Sequence, residues 1–267
     1  MIHPLLLRGS SINRPRDILD VGGIRYRRYF AHERANRHQC KYLVDGSVMR
    51  FEVRSGDYGD ASNAATGNER SELAAADVLT PGHGGSIFQF EEDGWLGFSF
   101  RIDTPITADF AICGQWHDYP EPDDVHMSPP LSFVAYPSSL RPDGTTRIPF
   151  ALATMYDPNR SSTVNNPNYR TRWSGDLTMG VYRHIVLHFR ASIVGTGLLE
   201  MWMDGQKVLD LSGISFGFNN LTGFAYWQWG IYRKADPKTM IARYANMELK
   251  RTSLMHRVAN PLPIMEW

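Results

Sequence analysis

The chain has 267 residues, 42% of them hydrophobic and 12% aromatic, enough to bury a substantial core, and an all-β chain of this length is commonly one domain. Lys plus Arg and Asp plus Glu both total 28, so attraction for an anionic partner has to come from a local basic site, and a protein that coats nucleic acid is disfavoured. No apolar stretch approaches the ~20 residues that a membrane-spanning helix needs, and Cys40 and Cys113 form no CxxC or Cys/His cluster, which argues for core thiols over a zinc site or a disulfide framework.

The predicted elements are mostly strands. After an N-terminal extension at about 1–45, counted as part of a single domain over 1–267, Met49, Phe51 and Val53 alternate with Arg50, Glu52 and Arg54, the period of a half-buried strand. Residues 69–78 allow a turn or two of helix, in competition with a strand through Arg70 and Glu72. Leu96, Phe98, Phe100 and Ile102 alternate with Gly97, Ser99, Arg101 and Asp103. From Asp118 to Pro149 the chain reads as irregular, with Pro120, Pro122, Pro129, Pro130, Pro137 and Pro142 and an acidic group at Glu121, Asp123 and Asp124. Tyr156 to Gly175, rich in Asn, Ser, Thr and Arg, reads the same way; long loops in a compact β domain are usually lids or binding loops. Ile185, Leu187 and Phe189 then alternate with His184, His188 and Arg190, and Leu199, Met201 and Met203 with Glu200, Trp202 and Asp204. Asp204-Gly205 is a hairpin signal, because both residues tolerate positive φ. A last strand runs from Ile241 to Leu249.

Three short segments carry the chemistry: Arg70-Ser71-Glu72-Leu73, Gln115-Trp116-His117, and Tyr226-Trp227-Gln228-Trp229-Gly230-Ile231-Tyr232-Arg233. Side chains of a strand alternate faces. Each segment therefore sets its polar groups on one side: Arg70 with Glu72, Gln115 with His117, and Tyr226 with Gln228, Tyr232 and Lys234. Trp227 and Trp229 face the core. Three polar rows containing Arg, His and Tyr describe the floor of a cleft for a polar anionic ligand.

These segments, in this order, resemble the RxEL, QxH and YxKxGxY motifs of jelly-roll polysaccharide lyases, the group that includes alginate lyases, glucuronan lyases and heparin lyase I. Pro129-Pro130-Leu131-Ser132-Phe133 after the second motif, and Tyr182 to Val208 with Gly197 and Met201-Trp202-Met203-Asp204-Gly205, are most similar to the heparin-lyase-like branch. The likeness extends over roughly Phe51 to Leu249. One position departs from the pattern: Gln228 stands where the group often has Lys. The resemblance implies an all-β jelly-roll sandwich of concanavalin type, with a substrate cleft on its concave sheet, and cleavage of a uronate polymer by β-elimination.

That reaction removes the C5 proton α to a carboxylate and expels the C4 oxygen, so a site must neutralise the carboxylate and supply a base and an acid. Arg70 and Gln115 are expected to bind the carboxylate, His117 to act as base or further donor, and Tyr232 to protonate the leaving oxygen or to make both transfers. Glu72 is expected to orient Arg70 by an ion pair, and Tyr226, Gln228, Lys234 and Arg170 to contact sugar. Arg172 and Trp173 are candidate sugar contacts in the same loop, although charge and aromatics in a loop are usually solvated or packed. With Gln228 offering only neutral hydrogen bonds, the expected substrate is less densely charged than heparin, and Arg70→Ala should impair turnover far more than Gln228→Ala. Glucuronan or a glucuronate-rich bacterial exopolysaccharide is the favoured polymer, ahead of alginate and glycosaminoglycans. A lectin-like jelly-roll module is the alternative; a glycoside hydrolase would need two facing carboxylates, and Glu72 has no second acid in the other motifs.

No cofactor is called for. Calcium is conceivable at Glu121, Asp123 and Asp124, although their spacing matches no EF-hand and a solvated acidic loop fits better. The expected partner is an anionic polysaccharide, with no nucleic acid or membrane, and the expected state is a monomer. The three-leucine run before Arg8 is too short for a signal-peptide core; the protein is expected outside the cell or on a virion, with either a removed leader absent from this sequence or an export route such as lysis.

Overall fold

A computed structural model describes residues 18–21, 24–30, 40–42, 48–59, 61–75, 88–118, 128–159, 166–219 and 224–264. They form two sheets packed face to face. One has ten strands and runs, from its N-terminal edge, Ile18–Val21, Ile24–Phe30, Asn68–Ala75, Phe224–Lys234, Ala111–Asp118, Leu131–Ala135 and Thr146–Thr154, the last of which also pairs with Ser139–Leu140 and Arg170–Thr178, while Phe88–Gln89 pairs with the start of Phe224–Lys234. The other has eight, in the order Tyr156–Asp157, Gln206–Phe218, Ser192–Met203, Arg183–Arg190, Gly94–Ile102, Met240–Lys250, Val48–Val53 and Cys40–Tyr42. Neighbours within each sheet are mostly distant in sequence, as in a jelly roll. Within the N-terminal stretch, Arg27–Phe30 pairs with Ser71–Ala74 and extends the first sheet.

The alternating runs become the walls of the core. Phe51, Leu96, Phe98, Phe100, Leu187, Phe189 and Met201 from the eight-stranded sheet meet Trp116, Phe133, Phe150, Trp227 and Trp229 from the ten-stranded one, all buried. Phe98 lies edge-on to both Phe133, at 5.6 Å, and Trp229, at 5.0 Å, the orientation that sets a positive ring edge against a negative ring face. The Asp204-Gly205 hairpin forms as the sequence predicts: Met203 pairs with Gln206 and the two turn residues have φ of 51° and 82°.

Three readings change. Residues 69–78 take no helix in the described part; Asn68–Ala75 is a strand and the only nearby helix is the short Ala61–Thr66. Both stretches read as irregular contain strands, Leu131–Ala135, Ser139–Leu140 and the start of Thr146–Thr154 in the first and Tyr156–Asp157 and the start of Arg170–Thr178 in the second. Their prolines sit where a ladder can spare an N–H: Pro130 precedes its strand, and Pro149 lies between the stretches paired with Ser139–Leu140 and Leu131–Ala135, its carbonyl accepting from Tyr136 N. Trp202, read as an outward residue, is only 8% exposed, because Leu254 and Val258 of the C-terminal segment pack on it with Trp95 and Val186. Among the described residues no helix is long and apolar enough to cross a membrane.

Candidate functional site

The three motif strands are neighbours, with Phe224–Lys234 between the other two. Tyr232 stands opposite Arg70 and Gly230 opposite Glu72 on one side; Tyr226 stands opposite His117 and Gln228 opposite Gln115 on the other. Trp116, Trp227, Trp229 and Ile231 are fully buried in the core. Alternation then places Arg70, Glu72, Gln115, His117, Tyr226, Gln228 and Tyr232 together on the outer face.

A bulge makes this phase possible. Between the Gln228/Gln115 and Tyr232/Ile112 pairs the central strand advances four residues and its partner three, so Cys113 and Gly114 both turn to the core side and Gln115 returns outward. Gly114 and Gly230 have φ of 148° and 131°, values that a side chain disfavours. At Gly230 a Cβ would lie 2.2 Å from the Ser71 carbonyl oxygen and 2.8 Å from Glu72 Cα. The bare position therefore lets the Asn68–Ala75 strand approach the central one closely. The bulge is also held from the facing sheet: the Tyr244 hydroxyl, fully buried, lies 2.5 Å from the Cys113 carbonyl and 2.7 Å from the Gly230 carbonyl. Its single proton is shared between two acceptors beside the bulge.

At the bottom of the site is a buried polar chain. Gln115 Nε2 donates to Glu72 Oε1 and to Gln228 Oε1, each at 2.6 Å, and Glu72, Gln115 and Gln228 are 0%, 3% and 2% exposed. Arg70 Nε is 3.6 Å from Glu72 Oε2, and the Arg70 guanidinium lies over the Tyr232 ring, 4.7 Å from its centroid. Burial raises the Glu72 carboxyl above the usual carboxylate range, against the opposing pull of Arg70, the Gln115 hydrogen bond and His117. Burial likewise raises the Tyr232 phenol, opposed by the Arg70 charge, aided by Glu72, and opposed again by hydrogen bonds with Arg70 and Asn68. His117 is half-buried, its ring stacked on Tyr226 at 5.6 Å and 17°. Glu72 thus sits at the hub: it touches the amide chain and feels both Arg70 and His117.

The expected ion pair of Glu72 with Arg70 is the longer of its two contacts, and the shorter one is to Gln115. Lys234 lies at the rim, exposed, with Nζ donating to the Thr66 carbonyl at 2.8 Å. Arg170 is exposed on a strand separated from the Gln115 strand by two others, away from the cluster. Arg172 hydrogen-bonds Thr154 Oγ1 and the Ser215 carbonyl, and Trp173 packs on the core, so both are structural. Glu121, Asp123 and Asp124 lie outside the described residues. Sequence reasoning missed Asn68, Tyr244 and the buried pair Glu69–Arg233; the last was legible only as two charges adjacent to motif residues, and Tyr244 carried no signal beyond its place in a strand.

Residues 25–248 match the family described as Polysaccharide lyase. No match is found among curated protein sequences. Among solved structures, the chain is similar to an endo-β-1,4-glucuronan lyase from the fungus Trichoderma reesei, with 14% identity, a TM-score of 0.59, and coverage of 80% of this chain and 87% of that one. A double mutant of alginate lyase Aly36B bound to an alginate trisaccharide gives 11% identity, a TM-score of 0.52, and coverage of 91% and 96%. Identity this low shows a shared fold.

Proposed function

The chain belongs to the polysaccharide lyase family, and we propose that it cleaves a uronic-acid polysaccharide by β-elimination, with glucuronan or a glucuronate-rich bacterial exopolysaccharide as substrate. The observation that carries this reading is the convergence of Arg70, His117 and Tyr232 with a buried Glu72–Gln115–Gln228 chain on one sheet face. Arg70 binds the carboxylate and, with an amide N–H, stabilises the charge that builds on it as C5 loses its proton. His117 takes that proton, the C4–O bond breaks, and a C4=C5 double bond forms. Tyr232, whose raised phenol stays protonated through neutral pH, protonates the departing oxygen.

The test is ultraviolet absorbance of the unsaturated uronate, measured with glucuronan, alginate, glycosaminoglycans and bacterial exopolysaccharides. Growth of the signal on a non-sulfated polyuronate is the expected result. Binding without new absorbance on any polymer would turn the reading to a carbohydrate-binding module.

A further inference from the structure

The amide chain has a direction, and that direction assigns the carboxylate donor. Gln115 Nε2 donates to Glu72 Oε1 at 2.6 Å, the direction in which a carboxylate accepts. The same nitrogen lies 2.6 Å from Gln228, and the Gln228 atom that meets it must be the carbonyl oxygen, since two amide nitrogens cannot hydrogen-bond each other. The orientation of both side chains thus follows from the chemistry of Glu72, whichever way an isolated amide would be drawn. Both hydrogens of Gln115 Nε2 are engaged inside the protein. What Gln115 has left is Oε1, an acceptor that a carboxylate avoids. Gln228 is the reverse: its oxygen is taken by Gln115, and among the described residues no hydrogen bond engages its NH2 group.

Building on the lyase reading above, we infer that Gln228 donates the amide hydrogen bond that holds the uronate carboxylate, and that Gln115 is a positioning residue, anchored by Glu72, that keeps the Gln228 NH2 group turned to the substrate. Gln228 is the position where the sequence departs from the family pattern, and the donor function stays at that position with a neutral group.

The test measures binding by calorimetry on the Tyr232→Phe background, so that substrate is not consumed. The probes are glucuronate, mannuronate and guluronate tetrasaccharides, each beside its counterpart with carboxyls reduced to alcohols; the tightest-bound pair is carried forward. Gln228→Met removes the donor at similar volume and should weaken the uronate by about 10- to 100-fold, the loss expected for a hydrogen bond to a charged group, while leaving the reduced oligosaccharide unchanged. Gln228→Lys, which restores a donor, should recover uronate binding. Gln115→Met should weaken the uronate no more than Gln228→Met does, and the double variant should match Gln228→Met alone, because Gln115 acts through Gln228. Thermal unfolding of each variant checks that the fold is kept. Selectivity for the uronate that survives Gln228→Met but disappears in Gln115→Met, or losses that add in the double variant, would overturn the assignment. With wild-type protein forming unsaturated product, those outcomes reject only this inference; a wild type that neither binds a uronate nor forms such product rejects the lyase reading with it.

Discussion

Two carboxylate–arginine pairs begin at adjacent residues of the Asn68–Ala75 strand, one crossing to Phe224–Lys234 and one staying within the strand, and they are built in opposite ways. Glu69 and Arg233 are direct strand partners on the inner side of the sheet. Glu69 Oε1 accepts from Gly56 N, and Oε2 accepts from Arg233 Nε at 2.9 Å and lies 2.7 Å from Arg233 Nη2; the guanidinium also donates to the carbonyls of Asp236 and Lys238. Glu72 and Arg70, on the outer side, meet at 3.6 Å, and Glu72 Oε2 is buried without a hydrogen bond. The inner pair is saturated and closed, which is what a buried charge needs to be tolerated. In the outer one Glu72 Oε2 has no hydrogen bond among the described residues, at the place where substrate chemistry is proposed. Adjacent residues of one strand pair thereby divide into bracing and site.

The largest difference between the two sides should appear in Tyr232→Phe. It is expected to lower turnover by ~10²–10⁴-fold with polymer binding and melting temperature nearly unchanged, read by product absorbance and calorimetry; near-normal turnover would make Tyr232 a packing residue. On the inner side the effects reverse. Arg233→Met leaves Glu69 charged and buried, and should cost about 3–5 kcal/mol, a fall in melting temperature on the order of 10 °C, while the fraction that stays folded at low temperature keeps most of its specific activity. A larger loss of activity than of stability there would erase the distinction.

Tyr244→Phe tests the link between the sides. Removing the hydroxyl leaves the Cys113 and Gly230 carbonyls unpaired and should destabilise by ~1–3 kcal/mol, with a modest drop in turnover because Gln115 and His117 lose their fixed phase. Unchanged turnover at lowered stability would show that the bulge holds itself. The smallest effect is expected in Glu72→Gln. The folded-state carboxyl is raised above 4.5, so its contribution to stability is fully present below the unfolded value and is lost as pH rises through the folded one. The Gln variant escapes that loss, so its melting temperature should exceed wild type at neutral pH, with the gap closing in acid, and its turnover should fall. A gap that widens in acid would mean that Glu72 is stabilised as a carboxylate.

Much was determined by the sequence alone. Period-two alternation in Met49–Val53, Leu96–Ile102, Ile185–Phe189 and Leu199–Met203 suffices for strands, since a buried face demands apolar residues at every second position, and Asp204-Gly205 suffices for the hairpin because its φ preference is local. The same rule sorted Arg70, Glu72, Gln115, His117, Tyr226, Gln228 and Tyr232 onto one face and Trp227 and Trp229 onto the other. Strands among prolines were hidden, because a proline's missing N–H matters only on a side that has a ladder partner, and the partner is set by topology. The buried state of Trp202 was hidden as well, since its cover arrives from residues far along the chain. Only the tertiary structure decided that Glu69 closes with Arg233 while Glu72 turns to Gln115, that Tyr244 reaches through the sandwich to the bulge, and that both Gln115 N–H groups point inward. Each of these is a contact between residues distant in sequence, whose register and direction depend on how strands pair and how two sheets face, and period-two alternation carries neither.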